Sequence, residues 1–159
     1  MYETGRIPRE GIMGIWDRAI NLVERIPMDV IQFACRVGIG GVFLKSAFTK
    51  TTEPWSLTLG DQTAMLFEYE YQLPVIPPDI AAYLATYAEY ALGTAMILGV
   101  ASRFSATGLL VMTAVIQFFV YPHLWHTHLL WAGALLLIIA KGPGRLSLDW
   151  GIAKVLKER

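Results

Sequence analysis

The stretch from Asp79 to Ala101, DIAAYLATYAEYALGTAMILGVA, constrains the fold most: it is apolar enough to cross a bilayer yet carries a carboxylate, Glu89, near its middle. At about 1.5 Å per residue a helix of that length reaches roughly 34 Å, against a hydrocarbon core of about 30 Å. A charge at that depth costs roughly 2.5 kcal/mol or more, so Glu89 must be protonated, paired or turned into a bundle. Helical spacing favours the last. Ala82, Thr86, Glu89 and Gly93 fall on one stripe of mostly small side chains, where a second helix can approach closely. Tyr83, Tyr87, Tyr90 and Thr94 form another stripe beside it. Taken alone, Glu89 suits a structural anchor as well as it suits a proton or ligand site.

Three more apolar segments accompany this one. The first, 30–48, carries Arg36 and a small-residue stripe of Ala34, Gly38 and Gly41 that ends in Lys45, suited to packing against the Glu89 face. Which cation meets Glu89 is open: Lys45 shares the helical face, Arg36 offers a bidentate fork, and both can instead snorkel to the interface. Spans at 104–121 and 124–140 follow. The Ser102-Arg103 turn is so short that the second and third spans must be antiparallel neighbours. Pro122 breaks the third span, and Lys141-Gly142-Pro143-Gly144 stops the fourth. With 159 residues, 55% of them hydrophobic, the chain reads as all-α: one polytopic membrane domain, 30–141, built as a four-transmembrane-helix bundle.

The flanking segments read as interfacial. In the arm 1–29, Ile12, Ile15, Trp16, Ala19, Ile20, Val23 and Ile26 recur at helical spacing opposite Asp17, Arg18, Asn21, Glu24 and Arg25, an amphipathic helix lying on the membrane surface until Pro27. No cleavable signal peptide is expected there, because the segment lacks a continuous apolar core. The acidic stretch 49–78 holds Glu53, Asp61, Glu68 and Glu70 and room for a short helix within 59–71. In 142–159 Ser147 is placed to cap a last short helix, with Trp150 at the interface. Ten of the thirteen Lys and Arg residues (Arg6, Arg9, Arg18, Arg25, Arg103, Lys141, Arg145, Lys154, Lys157 and Arg159) fall on the side of both termini, which the positive-inside rule makes cytoplasmic.

Chemistry is sparsely signposted. Zero formal charge gives nucleic acid no handle, and the lone Cys35 removes an internal disulfide, a CxxC centre and a cysteine-based zinc site. His123 and His126 are spaced to face one ion, but His126 and His128 point to nearly opposite sides of a helix, so no metal site is assigned. Interfacial hydrogen bonding suits these histidines first, a proton or quinone-headgroup contact second, and metal or haem last. Tyr83, Tyr87, Tyr90, Tyr121, Trp125 and Trp131 can line a cavity for a flat ring or form an aromatic belt. No nucleophile triad, HExxH, phosphate loop or dinucleotide fingerprint is present.

The order of several short motifs resembles the DoxX family of small bacterial inner-membrane proteins. They are Arg-Val-Gly-Ile-Gly-Gly-Val-Phe-Leu at 36–44 followed by Lys50, Leu66-Phe67, the Pro74 to Pro78 entry, and Ala-Glu-Tyr-Ala-Leu-Gly around Glu89. Leu-Gly-Val-Ala-Ser-Arg-Phe at 98–104, Tyr121-Pro122 and Gly-Pro-Gly-Arg-Leu-Ser-Leu-Asp at 142–149 complete the set. The resemblance implies a redox-associated subunit, working with a partner oxidoreductase or respiratory complex and able to hold a quinone. Glu89, Arg36 and Lys45 are then the ionisable or proton-relay candidates. His123, His126, His128, Tyr83, Tyr87 and Trp125 are the pocket candidates, on the extracytoplasmic half. A non-catalytic scaffold or assembly subunit is the alternative, and either is compatible with a homo-oligomer.

Overall fold

Proline and glycine punctuate the chain, and the helices of the computed structural model, which describes residues 9–158 and side chains from Gly14 onward, run between them. They are α1 (Arg9–Glu24), α2 (Met28–Lys50), α3 (Asp61–Tyr69), α4 (Pro78–Leu98), α5 (Ser102–Val115), α6 (Trp125–Lys141) and α7 (Leu148–Lys157). Arg6 and Arg159, counted above, lie outside the described residues, as do the side chains of Arg9 and Ile12. Pro27 precedes α2, and Pro78 opens α4 where a missing N–H does no harm. Gly99 (φ 73°) ends α4 and Gly142 (φ 85°) ends α6 in conformations that a Cβ would strain. Ser147 caps α7 by accepting the Trp150 N–H.

Three helical stretches, Met28–Lys50, Ser102–Val120 and Pro122–Lys141, are long and apolar enough to cross a membrane. The 21-residue α4 falls outside that set, because Tyr83, Tyr87, Tyr90 and Glu89 dilute its apolar character. It packs along α2 and against α3 and α5, and leaves Ile80, Tyr83, Leu84 and Leu98 exposed on its outer side. Antiparallel connections place the start of α2, the α4–α5 turn, the end of α6 and α7 at one end of the bundle, the terminal end. At the other, the loop end, lie α3, the end of α2 and the start of α6.

The α4 stripe is buried as its spacing requires: Ala82, Thr86, Glu89 and Gly93 all face the bundle. The matching face of α2 is not the one that its small residues suggest. Ala34, Gly38 and Lys45 are exposed, and the buried side is Gln32, Arg36, Ile39, Gly40, Phe43, Ala47 and Lys50. Gly40 makes the close approach, since a Cβ there would sit 2.8 Å from the Gly93 carbonyl oxygen. Ile39, Phe43, Met96, Ala106, Leu109, Leu135 and Ile138 form the core between α2, α4, α5 and α6. Phe104, Val111, Phe118, Leu130 and Leu136 point outward, the apolar exterior expected of a protein in lipid.

Candidate functional site

Two polar centres hold the bundle, one at each end. At the terminal end the guanidinium of Arg36, fully buried, donates to the carbonyls of Pro143 (3.1 Å), Met96 (3.2 Å), Ile97 (3.0 Å) and Leu146. Met96 and Ile97 are among the last four residues of α4, whose carbonyls lack partners within the helix. Arg36 thus caps α4 from a neighbouring helix instead of snorkelling or meeting Glu89. Gln32 donates to the Gly142 carbonyl (3.0 Å), and a Cβ at Gly144 would come 2.6 Å from Gln32 Oε1. Gly-Pro-Gly therefore lets the segment after α6 lie against α2.

Asp149 completes this end by accepting the N–H groups of Ala101 and Ser102, each at 2.8 Å, at the start of α5. Burial pushes its carboxyl up, but those N–H donors and the Arg36 guanidinium outweigh burial and hold it below the usual carboxylate range. A depressed value means stability that is complete above the ordinary carboxylate pKa of about 3.9 and lost as pH falls through the depressed one. Thermal melts of the detergent-solubilised protein should accordingly hold constant from neutral pH to about pH 4 and fall below it, an acid step that Asp149→Asn lacks.

At the loop end, Lys50 on the last turn of α2 reaches Glu89 Oε2 at 2.8 Å and Oε1 at 3.0 Å, with both side chains buried. Lys50 also donates to Ser46 Oγ (2.6 Å), which donates on to Glu89 Oε1 (3.1 Å). The cation that meets Glu89 is therefore Lys50, not Lys45 or Arg36. Helix α2 runs two residues beyond the expected end at Phe48 and brings Lys50 onto the same face as Arg36.

Beside this pair is a cavity of about 290 Å³ between α2, α3, α4, α5 and α6. Its wall is largely apolar: Phe67, Leu73, Ala81, Ala85, Met112, Val115, Ile116, Val120, Leu124 and Trp131. Ser46, Lys50, Glu89, Tyr71, Tyr121, Thr127 and His128 supply the polar groups. The hydroxyls of Tyr71 and Tyr121 are 3.0 Å apart, and burial with that bond pushes the Tyr71 phenol up, so it stays protonated. Two hydroxyls carry two protons and their mutual bond uses one. The pair therefore keeps one O–H to donate elsewhere.

His128 is set by its neighbour. Gln117 donates its amide N–H to the Pro122 carbonyl (2.9 Å), which turns its oxygen to His128 Nδ1 at 2.7 Å. Nδ1 then carries the proton and Nε2 the lone pair. The backbone that carries Gln117 is a π-helical turn, Ile116–Val120, closed by the Tyr121 N–H on the Ile116 carbonyl at 2.8 Å. Such wide turns are frequent at functional sites.

Of the residues singled out in the sequence, Glu89 and His128 line the cavity, as do Tyr121 and Trp131. His123, His126, Trp125 and Tyr83 are exposed. The Tyr87 hydroxyl donates to the Leu57 carbonyl (2.6 Å), and Tyr90 bonds Thr51 Oγ1 (2.7 Å) under a stacked Trp55. Among the described residues no three His, Cys, Asp or Glu side chains converge as a metal site. Lys50, Tyr71 and Gln117 are the site residues that sequence reasoning missed. Helical spacing alone could have found the first, since Arg36, Gly40, Phe43, Ala47 and Lys50 form a single stripe.

These features define an α-helical membrane protein, with a buried ion pair over a cavity at one end and a buried guanidinium node at the other. The chain belongs to the DoxX family, whose model matches residues 31–122, more than half of it. The family is linked to redox-associated membrane function. The match takes in Arg36, Lys50, Glu89 and the π-helical turn, and ends before α6. Neither curated proteins nor solved structures gave a match.

Proposed function

We propose that the chain is a redox-associated subunit of the bacterial inner membrane whose loop-end cavity takes a neutral ring of the quinone class, in the company of a partner oxidoreductase or respiratory complex. The observation that carries this reading is the cavity itself: its volume, about 290 Å³, and its mostly apolar wall suit a flat ring. Lys50 and Glu89 neutralise each other, so the wall offers an anion no net attraction. The tyrosine pair supplies one donor and His128 Nε2 one acceptor, a set that suits a ring oxygen and a ring hydroxyl better than it suits haem or a metal ion. When bound, such a ring supplies paired electron and proton transfer. The protein's part is to orient it and keep water out.

In this reading α4 is a fourth span, its 21 residues reaching about 32 Å, and Glu89 is tolerated there because it is buried against Lys50 of α2. The arm 1–29 and the tail 142–159 lie on the cytoplasmic side with most of the cations, and 30–141 is the membrane domain. A scaffold role is the second reading. It is favoured by one observation: Glu89 and Ser46 already satisfy the Lys50 ammonium, as in a helix lock.

Binding of a short-chain quinone analogue to the purified protein separates the two. His128→Ala should weaken binding about tenfold, the loss of one buried hydrogen bond, while Tyr87→Ala, whose hydroxyl is turned to Leu57, should leave it unchanged. Equal affinity in wild type and a folded His128→Ala variant would leave the scaffold standing.

A further inference from the structure

The terminal end holds a larger groove, about 660 Å³, bordered by α2, α5, α6 and α7 and remote from the ring cavity. Three cations line it: Arg103 at the start of α5, Lys141 at the end of α6 and Arg145 before α7. The Arg103 guanidinium lies over the Gly142 turn, where a Cβ would be 3.6 Å from Nη2, so Arg103 and Lys141 flank the same turn. None of the three has a carboxylate within salt-bridge distance among the described residues. The groove's two acids are turned to backbone: Asp149 takes the Ala101 and Ser102 N–H groups, and Asp29 takes the Arg145 N–H at 2.7 Å.

One further observation points to a ligand there. Phe104, 76% exposed, stands on the same wall as these cations. An apolar side chain beside three cations, of which Arg145 lies over the Trp150 ring, at the end of a membrane bundle suits a lipid better than a free anion.

We infer that this groove binds the phosphodiester headgroup of an anionic phospholipid, with Arg103, Lys141 and Arg145 facing the phosphate oxygens and Phe104 against the acyl chain. The site does not depend on the ring cavity and would persist if that cavity bound nothing.

Native mass spectrometry of the full-length protein in detergent, titrated with phosphatidylglycerol, tests it. Wild type should retain one phosphatidylglycerol at about tenfold lower lipid concentration than the double variant Arg103→Gln/Arg145→Gln, and should not retain phosphatidylcholine. Lys157→Gln removes a charge on α7 outside the groove and should change nothing. Excess inorganic phosphate should leave the lipid in place. The assignment is overturned if phosphate displaces the lipid, if phosphatidylcholine is held as well, or if Lys157→Gln weakens retention as much as the double variant. Should that double variant fail to fold, Lys141→Gln, at an exposed position, carries the same comparison.

Discussion

Arg36→Met is expected to be the most destabilising single substitution in this chain, costing about 3–5 kcal/mol. The guanidinium serves four carbonyls drawn from two places: the end of α4 and the segment between α6 and α7. Methionine fills much of the volume but leaves the Ile97, Pro143 and Leu146 oxygens without donors, while the Met96 carbonyl keeps the Gly99 N–H at 3.3 Å. Nothing else nearby replaces them, because Gln32 is committed to the carbonyls of Lys141 and Gly142. Thermal melts in mild detergent should show the loss, and limited proteolysis should show new cleavage within 142–147. Arg36→Lys keeps the charge but offers a single point of donation, so its melting temperature should fall between the two. A melting temperature unchanged in Arg36→Met would remove the node from the account of stability.

Breaking the Lys50–Glu89 pair from one side should cost nearly as much, about 3–5 kcal/mol for Glu89→Leu or Lys50→Met alone, because each leaves a buried charge without its counter-ion and with only Ser46 as a polar partner. Changing both together should recover most of that loss, since two apolar side chains of similar size suit the site better than one orphaned ion. The double-mutant cycle is the measurement, read as melting temperature in detergent. Additive losses would mean that the two side chains act independently, contrary to their 2.8 Å contact. The doubly substituted protein also isolates function from stability: a folded bundle without the pair still has the tyrosines and His128, and its affinity for a quinone analogue shows what the pair adds.

Much of the bundle was legible because lipid-crossing helices advertise their length and their ends. Pro27, Pro122 and Gly142 stand at helix ends, whereas α4 stops at Leu98, short of the expected Ala101, and the Ala82-Thr86-Glu89-Gly93 face is buried as spacing requires. The partner face of α2 was not legible from small residues, because glycines stand on both sides of that helix. Gly38 has open space where a Cβ would be and Gly40 has none. Lys50 was hidden by an error of two residues in the end of α2, which assigned it to the acidic loop. The short helix α3 was legible as a helix, and its buried side is Thr63 and Phe67. No sequence period could reveal the cavity. It is space left over where five helices meet, and Tyr71 and His128 reach it from elements far apart in the chain.

The π-helical turn at Ile116–Val120 has a further consequence. A turn closed from residue 121 back to residue 116 holds one residue more than an α-helical turn between the same two ends. Deleting a single residue from it would let the backbone rewind to the narrower helix with little change in how the helix on either side faces, because the wide turn accommodates the extra residue within one turn. The residues inside the turn, Gln117 among them, are the ones whose side chains would be re-aimed, so the extra residue is what holds the Gln117 oxygen on His128 Nδ1.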